Sequence, residues 1–475
     1  MSATQTTHAA GSGSGSGSGS DPAPAPTRRA VPPGPPRTAT FTLLNRLLRD
    51  RLALMSNAAE QYGDAVRMAI GPKTLYFFNH PDYAKHVLAD NSANYTKGIG
   101  LVQARRALGD GLLTSEGELW RKQRKTIQPA FQVKRIAGQA GVVAEEAARL
   151  VARLRALSGT GPVDVSRELT GLTLGVLGRT LLDEDLAGYA SIGHSFEAVQ
   201  DQAMFEMVTI GSVPTWLPLP NQLRFRRARA ELQQVVDALV EVRDARPTAD
   251  GDDVLSRLIE SVRAEDDPRV GRVRMRDELI TLLLAGHETT ASTLGWSLYL
   301  IDRHPEVAER LRAEAVAVLG GDRLPVYEDL RKLTYTSMVV EEAMRLYPPV
   351  WMLSRISREP DEIGGYRVPA GADVVVCPYT MHRHPAFWPE PARFDPGRFD
   401  PDRPVDRPRY AYIPFGAGPR FCVGNNLGMM EAVFVLAVVS RELRLELVPG
   451  AQVTAEPMLS LRVRGGLSMT VRPAE

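Results

Sequence analysis

Residues 415–424 read FGAGPRFCVG and set one of the chain's two cysteines, Cys422, among three glycines and an arginine. NNLGMMEAVFVLAVVSREL follows Gly424 directly, and its apolar spacing predicts a helix. Cys422 then lies just ahead of a helix N-terminus, where free N–H groups and the helix dipole stabilise an anionic sulfur. Gly416, Gly418 and Gly424 let the backbone turn tightly and approach something flat and large. Arg420 adds positive charge beside the sulfur. The ordinary fate of a lone cysteine is that of a small buried hydrophobe with an inert thiol; these neighbours argue against it. With only Cys377 besides, and no CxxCH pattern, nothing points to zinc, an iron–sulfur cluster or covalently attached haem. What remains is a single anionic sulfur ligand on one metal.

Two cysteines also cannot build a disulfide framework, so an intracellular, reducing compartment fits, and we expect a cytoplasmic protein. The 57 basic and 56 acidic side chains nearly cancel, which gives no reason to expect a nucleic-acid partner. Residues 1–37 hold a Gly/Ser alternation and a Pro-rich stretch with almost nothing apolar to bury, and are expected to form a disordered tail. No uninterrupted apolar run reaches the roughly 18 residues of a membrane span; AVFVLAVV (432–439) is short and reads as a buried helix. From residue 38 onward helical patterns dominate, at 144–157, 227–245 and 277–304. Strand signals cluster at 64–79 and at 364–379, where Gly and Pro mark a hairpin. The expectation is a mainly α fold with a small β portion, one domain over 38–475.

Three further constellations stand out. AGHETT (285–290) lies inside the long helical pattern, with Ala285 and Thr289 on one face, and Gly286 costs about 1 kcal/mol there relative to alanine. A small-residue helix crossing, with Glu288 and Thr290 toward solvent, is one account of it. A zinc-protease reading fails because Ala291 stands where HExxH needs its second histidine, and His287 has no assigned role. In EEAMRLYPP (341–349), Glu342 and Arg345 are three apart on a helix that should end before Pro348. In TSEGELWRKQRKTIQPAF (114–131), Ser115 and Glu118 form a capping-box pattern, Trp120 and Arg124 share a face, and the helix should end near Pro129. The charges Arg121, Lys122, Lys125, Lys134 and Arg135 are a solvated face or a docking site for an acidic partner.

FGAGPRFCVG resembles the haem-binding loop of the cytochrome P-450 family, with every fixed position filled, from Phe415 through Arg420 and Cys422 to Gly424. The other motifs occur in the family's order. The resemblance implies that Cys422 is the axial thiolate of a haem b iron, that Ala285 leaves room for dioxygen, and that Glu288 and Thr289 relay protons. It implies that Trp120 and Arg124, with Arg420 and Arg355, contact the haem propionates. It pairs Glu342 and Arg345 with Arg398 of DPGRF (395–399), a segment where Gly397 replaces the glutamate of many members. The implied fold is the family's triangular prism, with haem between the central and cysteine-adjacent helices. The implied reaction is a monooxygenation, one atom of dioxygen entering substrate and the other leaving as water.

No flavin or iron–sulfur module is fused to the chain, so a separate ferredoxin and its reductase are the expected donors, with the chain a monomer. The segments at 94–111, 204–223 and 348–354 should wall the pocket. Being mostly apolar, they suggest a lipophilic substrate such as a terpenoid, fatty acyl chain or polyketide. The GSVPTWLPLP loop is a candidate for peripheral membrane contact. The resemblance is closest to soluble bacterial members. Rival functions are a haem-thiolate peroxygenase or isomerase and a non-catalytic haem-binding sensor or carrier.

Overall fold

The computed structural model describes residues 30–71, 73–186, 192–209, 212–245, 253–403 and 405–474. Its longest element is the helix Pro268–Asp302. At 1.5 Å per residue this helix runs about 50 Å, enough to span a domain. Asp267 starts it by accepting the Arg269 N–H (2.8 Å), and Pro268 at the first turn lacks only an N–H that has no helical partner anyway.

Against this central helix pack the helices Val165–Leu177, Thr334–Leu346 and Asn425–Glu442, and Ala140–Ala156 packs on the first and last of these, all sharing one apolar core. Asn425–Glu442 is buried along nearly its whole length, Val433 to Val439 included, which explains a segment hydrophobic on every face. Among the described residues no helix is long and apolar enough to cross a membrane. The helices over 144–157, 227–245 and 277–304 are present as Ala140–Ala156, Pro220–Ala245 and Pro268–Asp302.

The β portion is small. Its main sheet orders Ala65–Ile70, Lys73–Phe78, Asp373–Val376, Leu353–Ser357 and Tyr95–Lys97 side by side. The hairpin expected across 364–379 is not formed in that way. Tyr366–Val368 pairs backward with Asp361–Ile363 around Gly364 and Gly365, whose φ angles are +57° and +81°. Asp373–Val376 instead joins the main sheet parallel to Lys73–Phe78. All four of its residues are buried, as a strand covered on both faces requires.

The expected tail boundary at residue 37 also shifts. The Arg67 and Arg367 N–H groups donate to the carbonyls of Pro33 and Ala30 (2.8 and 3.0 Å), and Pro32 is buried, so the chain is tied to the β portion from residue 30. Residues 1–29 of that expectation lie outside the described residues.

Candidate active site

The Cys422 loop is shaped by its backbone. The Cys422 N–H donates to the Phe415 carbonyl (3.0 Å), closing the loop, and Gly424 caps the helix Asn425–Glu442. Gly418 is needed twice over: φ is +66°, and a Cβ there would fall 1.8 Å from the Leu88 carbonyl oxygen. Gly416 needs only its positive φ of +71°, and Gly424 needs neither. Cys422 is exposed on a cavity wall but otherwise enclosed by protein. That burial pushes its thiol up, while the Gly424 N–H and the Arg124 guanidinium pull it down. The cation acting on the sulfur is thus Arg124, whose Nη1 donates to the Phe421 carbonyl (3.0 Å), and not Arg420 as the sequence suggested.

Arg420 turns toward the other side of the loop. It donates to the Ser115 carbonyl (3.0 Å) and the Glu116 carboxylate (2.5 Å), with its guanidinium 4.0 Å from the centre of the Trp120 ring. Trp120 is therefore a platform for Arg420; neither Trp120 nor Arg124 lines the cavity, whereas Arg355, Arg420 and Lys97 do. Glu116 is also the acceptor for the Lys97 backbone N–H (2.6 Å). Burial, then the neighbouring Arg355 and Arg420, holds the Lys97 ammonium well below its usual range. Burial with Arg420 pushes Arg355 down to about 10. Three basic side chains on one wall thus share the single carboxylate of Glu116, and the lowered pKa of each marks a wall short of anionic partners. The expected capping box is absent: Ser115 bonds Gln123, and Glu116 serves the cations.

Across the cavity lies the central helix. Ala285 is exposed on the wall, with Gly286, Glu288 and Thr289 beside it. A Cβ on Gly286 would come within 2.6 Å of Leu177 Cδ2, so the glycine does serve a close helix crossing. Glu288 and Thr290 nevertheless do not face solvent: Thr290 is buried, and Glu288 accepts the Ser460 hydroxyl (2.7 Å). The Thr289 hydroxyl donates to the Ala285 carbonyl (2.7 Å). His287 is wholly buried, with Nδ1 2.6 Å from the Leu283 carbonyl and its ring 4.8 Å from that of Phe196. Desolvation lowers its pKa, against Glu288 and the Leu283 carbonyl, so it is a neutral packing residue.

The cavity between these walls is about 360 Å³. Ile99, Leu101, Met207, Val350 and Met352 come from the three segments expected to form it, and Met458, Leu459 and Gln200 from outside them. Residues 210–211 of the middle segment lie outside the described residues; Trp216 beyond them is 71% exposed. Behind the cysteine side, Arg345 bonds both oxygens of Glu342 (2.6 and 2.7 Å), and Arg398 Nε lies 3.4 Å from Glu342. The backbone N–H of Gly397 is taken by Asp395 (3.0 Å).

Residues 32–471 match the cytochrome P-450 family. The chain belongs to that family. It is 37% identical to cyclooctatin synthase of Streptomyces melanosporofaciens, over 94% of this chain and 96% of that protein. It is 36% identical to cyclooctat-9-en-7-ol 5-monooxygenase of the same organism, over 82% and 84% of the two chains. It is 33% identical to pentalenene oxygenase of Streptomyces avermitilis, over 86% and 90%. This cytochrome P-450 is a monooxygenase with a haem cofactor. Its mainly α fold with a small β portion is the family's. Of the residues that shape its cavity, Lys97, Glu116 and Ser460 were not singled out in the sequence. Each acts through a partner far along the chain, and no local spacing announces it.

Proposed function

We propose that this cytochrome P-450 inserts oxygen into a terpenoid-sized lipophilic substrate, using haem b held by Cys422 and a proton relay through Glu288 and Thr289. The observation that carries it is a single cavity with Cys422 on one wall, Ala285, Glu288 and Thr289 on another, and aliphatic side chains between. The wall of Lys97, Arg355 and Arg420 suits the two propionates of a haem, and Trp120 would steady Arg420. Phe415 and Gly424 flank the cysteine, and Arg124 offsets a charged sulfur. Bound haem supplies the activation of dioxygen. The protein's part is to keep the sulfur ligand in place, to exclude bulk water with the aliphatic walls, and to present a carboxylate and a hydroxyl at the distal side. The names of three relatives favour a terpenoid over an acyl chain. Exposed Arg121 and Lys125, on the helix that touches the cysteine loop, favour an acidic ferredoxin, fed by its reductase, as electron donor.

The test begins with absorption spectra of the reduced protein under carbon monoxide. The red-shifted band of a thiolate-ligated haem is expected in the parent and lost in Cys422→Ser. Product formation should require ferredoxin and its reductase together; turnover with peroxide alone at an equal rate would replace the relay with a peroxygenase.

A further inference from the structure

Strands Ala455–Pro457 and Leu461–Val463 are antiparallel, and the turn between them, Met458–Ser460, forms part of the cavity wall. This turn is clamped on two sides. From the central helix, Ser292 and Trp296 both donate to the Leu461 carbonyl (2.6 and 2.8 Å). From the segment 349–354, Trp351 Nε1 donates to the Met458 carbonyl (2.9 Å), and the Leu461 N–H donates to the Pro349 carbonyl (2.9 Å). Ser460 itself is buried, and its hydroxyl donates to Glu288 Oε1. The other oxygen of Glu288 is 3.8 Å from Nε2 of the buried His287. Glu288 also borders a second, more polar cavity of about 690 Å³, together with His287, Ser292 and Arg462. The carboxylate thus stands between two cavities, and Ser460 holds it.

We propose that Ser460 is a positioning residue that makes proton delivery by Glu288 depend on how well a substrate fills the cavity; this rests on the relay proposed for Glu288. Met458 and Leu459 face the substrate space, and Ser460 follows them in the same three-residue turn. A ligand that presses on the first two displaces the third, and a hydrogen bond of 2.7 Å to a carboxylate responds to small displacements. A ligand small enough to seat without pressing on the turn leaves Glu288 in register, whereas one that crowds it does not. With Glu288 out of register, dioxygen takes up two electrons from the donor and two protons and leaves as hydrogen peroxide, and no oxygen enters the substrate.

The test uses the holoenzyme with ferredoxin and reductase, and camphor and geranylgeraniol as a small and a large terpenoid probe. One readout is the infrared carboxylate band of Glu288, identified by difference against Glu288→Gln. It should shift in Ser460→Ala without any probe, and should shift in the parent, but not in Ser460→Ala, when geranylgeraniol is added. The second is peroxide released per electron pair. It should rise about tenfold in Ser460→Ala, the weight of one hydrogen bond to a charged group, and return toward the parent in Ser460→Thr. Carbon monoxide binding should be unchanged. An identical Glu288 band in parent and Ser460→Ala, or a parent band that neither probe moves, overturns the proposal. If instead Glu288→Gln releases no more peroxide than the parent, the relay itself is what fails.

Discussion

Arg345 gives the sharpest test of how the fold supports the cysteine side. It is completely buried, and the protein takes up its guanidinium in five hydrogen bonds. Two go to Glu342; the other three go to the carbonyls of His382, Pro391 and Arg393, at 2.9, 2.8 and 2.9 Å. Glu342 accepts the Asp395 N–H as well (2.9 Å), so the pair staples 382–398 to the helix Thr334–Leu346. Arg345→Ala leaves the buried Glu342 carboxylate with only the Asp395 N–H and the more distant Arg398, a loss of up to about 3–5 kcal/mol. It also leaves three carbonyls without a donor, at about 1–3 kcal/mol each. The sum, about 6–14 kcal/mol, is comparable with the whole margin of roughly 5–15 kcal/mol that holds most domains together, so little folded, haem-loaded protein is expected. The informative comparison is Glu342→Leu with Arg345→Leu. In an ion pair whose only business is charge, removing both partners is close to neutral. Here the three carbonyls stay unpaired, and the double variant should remain destabilised by about 3 kcal/mol or more. Urea unfolding followed by circular dichroism and by haem absorbance measures both. A double variant as stable as the parent would refute the carbonyl-stapling argument while leaving the ion pair intact.

The glycines of the cysteine loop separate two effects. Gly416→Ala should cost only about 1 kcal/mol, the strain of a positive φ in open space. Gly418→Ala adds a collision with the Leu88 carbonyl and should abolish haem incorporation, read as the ratio of haem to protein absorbance. Glu278 predicts a pH dependence. Burial, aided by Asp277 and opposed by the Leu112 N–H and Gln123, raises its pKa to about 8. The folded state therefore binds a proton that the unfolded chain has released, and the stability contributed by the neutral acid is lost as pH rises from the usual carboxylate range through about 8. The difference in unfolding free energy between the parent and Glu278→Gln should fall with pH, by up to about 1.4 kcal/mol per unit; a flat difference contradicts the assignment.

Much of the site was legible because its parts are local in sequence. The cysteine loop, its following helix, the Ala285–Thr290 stretch and the Glu342–Arg345 spacing each fit within one or two turns of chain, and the structure places them around one cavity or directly behind it. What misled was side-chain direction. Two residues from Cys422, Arg420 reads in the sequence as the cation beside the sulfur, yet it bends to Glu116 and Trp120 while Arg124, 298 positions upstream of the cysteine, supplies that charge. Ser115 fits a capping box by spacing, but the helix starts one residue later, with Glu116 at its N-cap, and the Ser115 hydroxyl donates to the buried Gln123 amide instead. The parallel entry of Asp373–Val376 into the main sheet was invisible for a related reason: a short run buried on both faces carries no alternation, and its partner lies some 300 residues earlier.

Buried arginines in this protein fall into two kinds, and the distinction carries the argument for a bound anion. Arg345 is satisfied by the protein alone, and it sits where nothing else needs to enter. Arg355 is also buried, though it reaches the cavity, yet among the described residues its guanidinium donates to a single carbonyl, that of its neighbour Ser354, and it faces Lys97 and Arg420 across a wall with one carboxylate. Folding would not retain such a cluster for stability, since each added cation lowers the affinity of the others for their protons. A protein keeps it when a ligand brings the missing negative charge, and loading that ligand should therefore stabilise the fold and not merely fill it. On that reasoning Arg355→Leu should leave the apoprotein at least as stable as the parent and remove much of the stability gained on binding haem, a pattern opposite to that of any variant at Arg345.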